Sequence, residues 1–322
     1  MSVEIRRGVP LWPFTTLRVG GLAERFAVAR TVDDLAELAL LEPDGLAAMT
    51  VLGWGSNVLP SDEGVPGMVV INRCRQVYRD SNGDLVADAG VGFQDLCLWA
   101  AQRGLGGMEF AVGIPGTLGG ALVSNAGAYR SAVSERLVGI EVVEGGERRW
   151  EEPSWMQFSY RDSKLRSGGH RSGTLLRARF RLAPRAPELI YADAREFQRQ
   201  RIGKQPPQAS AGSFFKNVME PGLVDRLPDL PPGLRQAGVV PAGYLIEACG
   251  LSGAREGGAR VSLRHANFLV NAGGATADDF RRLALRVRIA VADQFAVNLS
   301  EEILYLGKWS PSSEVKRATG LN

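Results

Sequence analysis

The first chemical signal in this chain comes from glycine. Of 322 residues, 39 are glycine, well above the usual ~7%, and the excess is clustered. One cluster reads Leu52-Gly-Trp-Gly-Ser-Asn-Val-Leu59, directly after the β-like run Thr50–Leu52. Glycines there let the backbone take positive φ and approach a ligand, and Ser56 and Asn57 add polar groups. Successive free N–H groups in such a turn can form an anion-binding nest. By itself this cluster reads first as a tight strand-to-strand turn. A longer cluster runs Gly104-Leu-Gly-Gly-Met-Glu-Phe-Ala-Val-Gly-Ile-Pro-Gly-Thr-Leu-Gly-Gly120 and continues as Ser124-Asn-Ala-Gly-Ala-Tyr129. Gly113, Gly116 and Gly119 lack the G-x-G-x-x-G spacing of a Rossmann turn, and no Gly-Lys-Ser/Thr follows as in a P-loop. So much glycine costs chain entropy that only close approach justifies. A long, flat, diphosphate-bearing cofactor explains it better than a loop-rich packing junction.

Other chemistries are excluded by what is present. The two histidines, His170 and His265, sit in no hydrolase motif and provide no metal constellation. Cys74, Cys97 and Cys249 are odd in number, far apart and without a C-x-x-C pair, which argues against a zinc ribbon and a disulfide framework. The 38 Lys+Arg against 35 Asp+Glu leave a net charge of +3, too small and dispersed to point to nucleic acid. No apolar run of about 18 residues occurs, and the N-terminus lacks a signal-peptide h-region. The expected location is the cytoplasm, with monomer as the working oligomeric state.

The elements that must position these glycines can be read from periodicity. Short β-like runs at Arg25–Ala29, Thr50–Leu52, Met68–Ile71 and Leu85–Ala89 are bounded by turn residues. Thr31-Val-Asp-Asp34 resembles a capping box, with Val32, Leu35 and Leu38 following at helical spacing. A second helix is expected from Phe93 to Arg103, ending at Gly104. Residues 139–182 read mainly as strand and loop, with the strongest alternation in Leu175–Leu182. A polar helix follows from about Glu188 to Arg201. Thr276 and Asp279 can cap a further helix carrying Phe280, Leu283, Val287 and Val291. Trp12, Trp54 and Trp99 are expected to pack in the protein. The mixture favours an α+β or α/β sheet architecture.

Several motifs, taken in order, carry a family likeness. They are Gly53-Trp-Gly-Ser-Asn-Val-Leu59 with Gly64, Gly67 and Ile71; Gly107 to Tyr129; Ser159-Tyr-Arg-Asp-Ser163; Ala211-Gly-Ser-Phe-Phe-Lys-Asn217; Ala242-Gly-Tyr-Leu-Ile-Glu247; and Val261-Ser-Leu-Arg-His-Ala-Asn-Phe268. Together they closely resemble the UDP-N-acetylenolpyruvoylglucosamine reductases, the MurB family, from about Thr15 to Gly307. The resemblance implies an α+β fold, with a two-subdomain FAD-binding region of the vanillyl-alcohol-oxidase/PCMH type and a C-terminal α+β substrate domain. The divisions expected are 1–72 and 73–186 for FAD, 187–307 for substrate, and a flexible tail at 308–322. The short stretch between Arg161 and the Gly-Ser-Phe-Phe-Lys-Asn motif suggests the branch that lacks an extra tyrosine-bearing loop.

By the same resemblance, Gly53, Gly55, Ser56, Asn57 and Val58 hold the FAD diphosphate. Gly113, Ile114, Pro115, Gly116, Gly119, Gly120 and Asn125 line the flavin. The implied reaction passes hydride from NADPH through FAD to C3 of the enolpyruvyl ether of UDP-N-acetylglucosamine, giving UDP-N-acetylmuramate for peptidoglycan synthesis. Charge then flows toward the substrate carboxylate and a proton is needed at C2. Arg161 matches the arginine whose fork can hold a carboxylate, Ser213 matches the proton donor, and Glu302 matches the glutamate before a final strand. Glu301 is its adjacent competitor, and Glu302 is preferred by its distance to Gly307. Lys204, Asn217 and His265 fall at substrate-binding positions, and no metal is implied. Two alternatives remain: a flavin-dependent oxidase on a related fold, without Arg161, Ser213 and Glu302 converging, and a non-catalytic flavin or UDP-sugar sensor that does not turn over NADPH.

Overall fold

The computed structural model describes residues 3–41, 49–168, 173–227 and 229–310. His170 and the tail beyond Ser310 lie outside them. The chain forms two compact units, one of Met1–Val9, Ala23–Gly55 and Pro66–Gly203, the other of Pro10–Leu22, Ser56–Val65 and Lys204–Asn322. Both are mixtures of helix and antiparallel-rich sheet, an α+β arrangement. The N-terminal segments that join the second unit are too short to carry a periodic signal of that pairing.

The first unit contains two sheets. A four-stranded sheet has the spatial order Arg6–Pro10, Leu22–Ala29, Val65–Asn72, Met49–Leu52, the last pair being parallel. Helix Val32–Leu40 covers it because Val32, Leu35 and Leu38 recur on one face. The Thr31–Asp34 capping box satisfies the helix's first N–H groups. An antiparallel five-stranded sheet runs in the order Glu147–Glu151, Leu137–Glu144, Thr174–Phe180, Leu85–Asp88, Val77–Arg79. Helices Phe93–Ala101 and Pro187–Ile202 share its core through Phe93, Leu96, Ala194 and Phe197.

The second unit is built on the antiparallel sheet Ser210–Ser213, Phe268–Asn271, Ala259–Val261, Arg255–Glu256. Helix Ala277–Phe295 lays Phe280, Leu283, Val287 and Val291 onto its core. A Thr276–Asp279 capping box and the Asp62 carboxylate, which accepts from Ala277 N and Asp278 N, fix the start of that helix. Strand Leu304–Leu306 pairs in parallel with Val58–Pro60. After it, Trp309 donates to Leu306 O and its ring packs edge-on to Tyr305.

The tryptophans differ in exposure. Trp99 packs on the first core beneath Arg103, but Trp12 and Trp54 are 53% and 38% exposed. Trp12 lies in the one-turn helix Trp12–Phe14 and Trp54 between turn glycines, so neither stands on an element with an inward face. Among the described residues no helix is long and apolar enough to cross a membrane.

Candidate active site

In the first unit the fold brings the two glycine clusters together. Gly53 lies against the side chain of Thr117, which occupies the space a β-carbon at 53 would need. Its carbonyl accepts from Arg73 Nη1 at 2.9 Å. Thr117 also caps helix Leu118–Val123 through Gly120 N. The longer cluster is pinned by backbone bonds: Phe93 N to Gly116 O, Leu118 N to Val91 O and Gly119 N to Ala89 O, at 2.8–2.9 Å. A β-carbon at Gly119 would stand 3.0 Å from Ala89 O, so glycine lets the loop sit this close without displacing that strand end. Gly113 and Gly116 take φ of +78° and +128°. Gly113 N donates to Gln94 Oε1 at 3.0 Å, while Ile114 N donates to Ala111 O. Pro115 follows within the same loop. Gly55, at φ +62°, closes the first unit's share of the short cluster.

Asn125 and Arg161 meet beside this loop. Asn125, itself at φ +41°, donates from Nδ2 to Ser159 O at 2.9 Å. Arg161 donates to Asn125 O and Gly127 O, at 3.3 and 2.6 Å, and stacks its guanidinium 5.4 Å from the Tyr160 ring centroid. Arg201, which the motifs did not single out, reaches the loop from helix Pro187–Ile202 and donates from Nη1 to Gly113 O at 3.3 Å. Its place near the end of a polar helix looked like ordinary surface charge. A separate cavity of about 370 Å³ in this unit contains Arg185, whose charge is matched by Glu109 and Asp193 at 2.7 Å each.

The second unit gathers the remaining candidates. Ser213 ends strand Ser210–Ser213, opposite Phe268. Residues 214–216 then pair antiparallel with 300–302: Glu302 N donates to Phe214 O and Lys216 N to Ser300 O, both at 2.8 Å. Ser213 and Glu302 are thereby carried on adjacent segments, although 89 residues of sequence separate them. Buried Asn267 clamps the turn, accepting from Phe215 N at 3.0 Å and donating to Phe215 O at 2.9 Å. This positioning role was hidden inside the His-Ala-Asn-Phe motif. Asn57 donates to Glu302 O at 3.0 Å and accepts from Leu304 N, and Val58 pairs with Leu304, so this part of the short glycine cluster anchors the glutamate's backbone. Ser56 precedes them in the same unit.

The two adjacent glutamates are treated differently. Glu301 accepts from Tyr305 Oη at 3.2 Å, and burial raises its pKa against the opposing pull of Arg288 and that hydrogen bond. The side chain of Glu301 is thus committed to Tyr305, while Glu302 holds the backbone register beside Phe214. Asn217 uses its side-chain oxygen to accept from Ala242 N at 3.2 Å, ahead of helix Ala242–Ala248. His265 accepts from Asn267 N at its Nδ1 atom, which leaves the neutral ring's proton on Nε2. Burial lowers its pKa, and the Lys204 charge adds to that, so the imidazole is neutral near pH 7. Lys204 itself is exposed. Arg161 belongs to the first unit, and Ser213, Glu302, Lys204, Asn217 and His265 to the second.

Whether the first unit suits FAD can be judged from its unsatisfied polar atoms. Asn125 Oδ1 and Arg201 Nε are inaccessible to solvent and have no hydrogen-bond partner. One accepts and the other donates, which suits a ring system bearing both N–H and carbonyl groups. Both lie beside glycines that keep side chains off the loop. The residues therefore fit a flavin. No group of His, Cys, Asp or Glu among the described residues could hold a metal ion.

Comparison with known proteins agrees across both units. Residues 23–149 match an FAD-binding domain model, and 205–306 match the C-terminal domain of UDP-N-acetylenolpyruvoylglucosamine reductase. A reductase of that name from Synechococcus sp. (strain JA-3-3Ab) is 38% identical over 96% of this chain and 93% of its own length. Its counterpart in Listeria monocytogenes is 34% identical over 95% and 96%. The crystal structure of the reductase from Thermus caldophilus superposes with a TM-score of 0.74 at 35% identity, covering 95% of this chain and 99% of that one. Matched in both units and over nearly its whole length, the chain belongs to the UDP-N-acetylenolpyruvoylglucosamine reductase family.

Proposed function

We infer that this protein reduces UDP-N-acetylglucosamine enolpyruvate to UDP-N-acetylmuramate with NADPH as the electron source, in the cytoplasm, as a step of peptidoglycan precursor synthesis. The carrying observation is the presence in one chain of an FAD-binding match and a reductase-specific C-terminal match. In this reading, residues 1–72 and 73–186 hold the cofactor and 187–307 the substrate.

FAD, when bound, supplies the hydride for C3 of the enolpyruvyl group. Gly113, Ile114, Pro115, Gly116, Gly119, Gly120 and Asn125 would hold its ring system, and Gly53, Gly55, Ser56, Asn57 and Val58 its diphosphate. The rest falls to side chains. Arg161, fixed by two carbonyls and the Tyr160 ring, presents a guanidinium to the substrate carboxylate. Glu302 supports the same carboxylate from a backbone locked on Phe214 and Asn57. Hydride addition at C3 would leave the electron pair at C2, a strongly basic carbon even with the carboxylate sharing its charge, so the ordinarily weak acid Ser213 could give up its hydroxyl proton there. No protein partner of that hydroxyl occurs among the described residues, which leaves it available. Lys204, Asn217 and the Nε2–H of neutral His265 supply cation and donors for the sugar nucleotide.

The test is optical. The purified protein is expected to be yellow, to bleach with NADPH, and to recover its colour when the enolpyruvyl substrate is added. A colourless protein that takes up no FAD rejects the reading, and recovery with oxygen but not with the enolpyruvyl substrate points to an oxidase.

A further inference from the structure

We propose that Arg201 is a flavin-binding residue that favours the reduced, negatively charged form of the cofactor. The proposal rests on the reading above, in which FAD lies along the loop from Gly113 to Gly120.

Arg201 is held in place from several sides. Its Nη1 donates to Gly113 O, its guanidinium lies 5.5 Å from the Tyr129 ring centroid, and that ring stacks on Phe197 at 4.0 Å and 13°. Tyr129 Oη donates to Phe197 O at 3.1 Å, fixing the stack to the same helix that carries Arg201. Gly113 makes room for this arrangement, since a β-carbon there would come within 2.7 Å of Arg201 Cδ at φ +78°. The guanidinium is thus preorganised without any carboxylate. Arg148, Arg149, Arg177, Arg181 and Arg185 each bond a carboxylate; among the described residues Arg201 bonds none.

Two further observations point outward from the side chain. Arg201 Nε is shut off from solvent with no acceptor, an expensive state for a group that cannot shed its charge. Burial weakens its basicity, an effect that Tyr129 opposes and the Arg161 charge reinforces. A buried guanidinium beside the glycine loop, with an unfilled donor and no carboxylate among the described residues, calls for negative charge supplied by a ligand. Oxidised flavin is neutral in its ring and reduced flavin readily carries a negative charge, so a fixed cation there binds the reduced form more tightly and raises the potential.

The experiment uses the full FAD-loaded chain and its Arg201→Gln and Arg201→Lys variants. Apoprotein melting temperature, affinity for oxidised FAD and the flavin midpoint potential are measured for each. For Arg201→Gln the reduced cofactor is expected to lose at least about tenfold more affinity than the oxidised one, which lowers the midpoint by about 30 mV. Arg201→Lys, which keeps the charge and loses the fork, is expected to recover most of that shift. Equal loss of affinity for both redox states, or an unchanged midpoint in Arg201→Gln, overturns the proposal and leaves Arg201 a latch on Gly113. If Arg201→Gln melts normally but holds no FAD, retention by Arg201→Lys supports the charge requirement, and loss in both variants overturns it. A wild-type chain that never takes up FAD removes the underlying reading as well.

Discussion

The five-stranded sheet and the glycine loop lie in the same unit yet use arginine in opposite ways. On the sheet, Arg177 bonds Asp88 at 3.0 Å and reaches Glu141 at 3.4 Å. Arg148 bonds Glu141 at 2.7 Å, and Arg181 bonds Asp84 through two nitrogens. Asp88 and Glu141 are buried, so each acid depends on its cations. Beside the loop, Arg161 and Arg201 bond backbone carbonyls of Asn125, Gly127 and Gly113. A carbonyl dipole orients a guanidinium without cancelling its charge. Arginines neutralised by carboxylates hold the sheet together, whereas Arg201, braced by a carbonyl and bonding no carboxylate among the described residues, keeps its charge for whatever binds there.

Four substitutions test this division, taken from the largest expected effect. Ser213→Ala is expected to slow flavin reoxidation by the enolpyruvyl substrate by at least ~100-fold while leaving reduction by NADPH nearly intact. Stopped-flow absorbance resolves the two half-reactions, and equal slowing of both would remove Ser213 as the acid at C2. Glu141→Ala strips two sheet arginines of a buried partner and is expected to cost about 3 kcal/mol in urea melts, with FAD affinity of the folded protein unchanged. A lost affinity for FAD would break the distinction between sheet and loop. Arg161→Lys keeps the charge but cannot span two carbonyls and a carboxylate. A roughly tenfold slower reoxidation is expected, with stability nearly unchanged, and an unaltered single-turnover rate would take Arg161 out of the site.

The smallest effect concerns pH. Burial raises the Glu301 pKa above its ordinary 4.5. The stability linked to its protonated form is therefore complete below about 4.5 and is lost as pH rises through the folded value. Glu301→Gln removes that slope, so the variant's melting temperature is expected to gain on the wild type between pH 4.5 and 8. A constant difference across that range would mean that Glu301 titrates alike in folded and unfolded chains.

Legibility in the sequence followed the range of the interactions. Helices Val32–Leu40 and Ala277–Phe295 start at the residues their capping boxes specify, because a cap is a bond across three residues. The glycine loop announced itself through composition, since a β-carbon at Gly119 would crowd Ala89 O at 3.0 Å. By contrast, Arg201 offered no local sign. It bonds Gly113 O and no carboxylate among the described residues, which depends on helix Pro187–Ile202 meeting Gly113 across the fold.

From sequence alone came the family motifs, the main helices and the proposal of Arg161, Ser213 and Glu302 as site residues. Tertiary structure decided that Ser213 and Glu302 ride on paired segments, that Asn267 and Asn57 lock those segments, and that Glu301 is spent on Tyr305. Residue types and short spacings record what a backbone can do locally. The state of a charge, whether neutralised, buried or left for a ligand, is set by atoms far along the chain that only folding brings within a few ångströms.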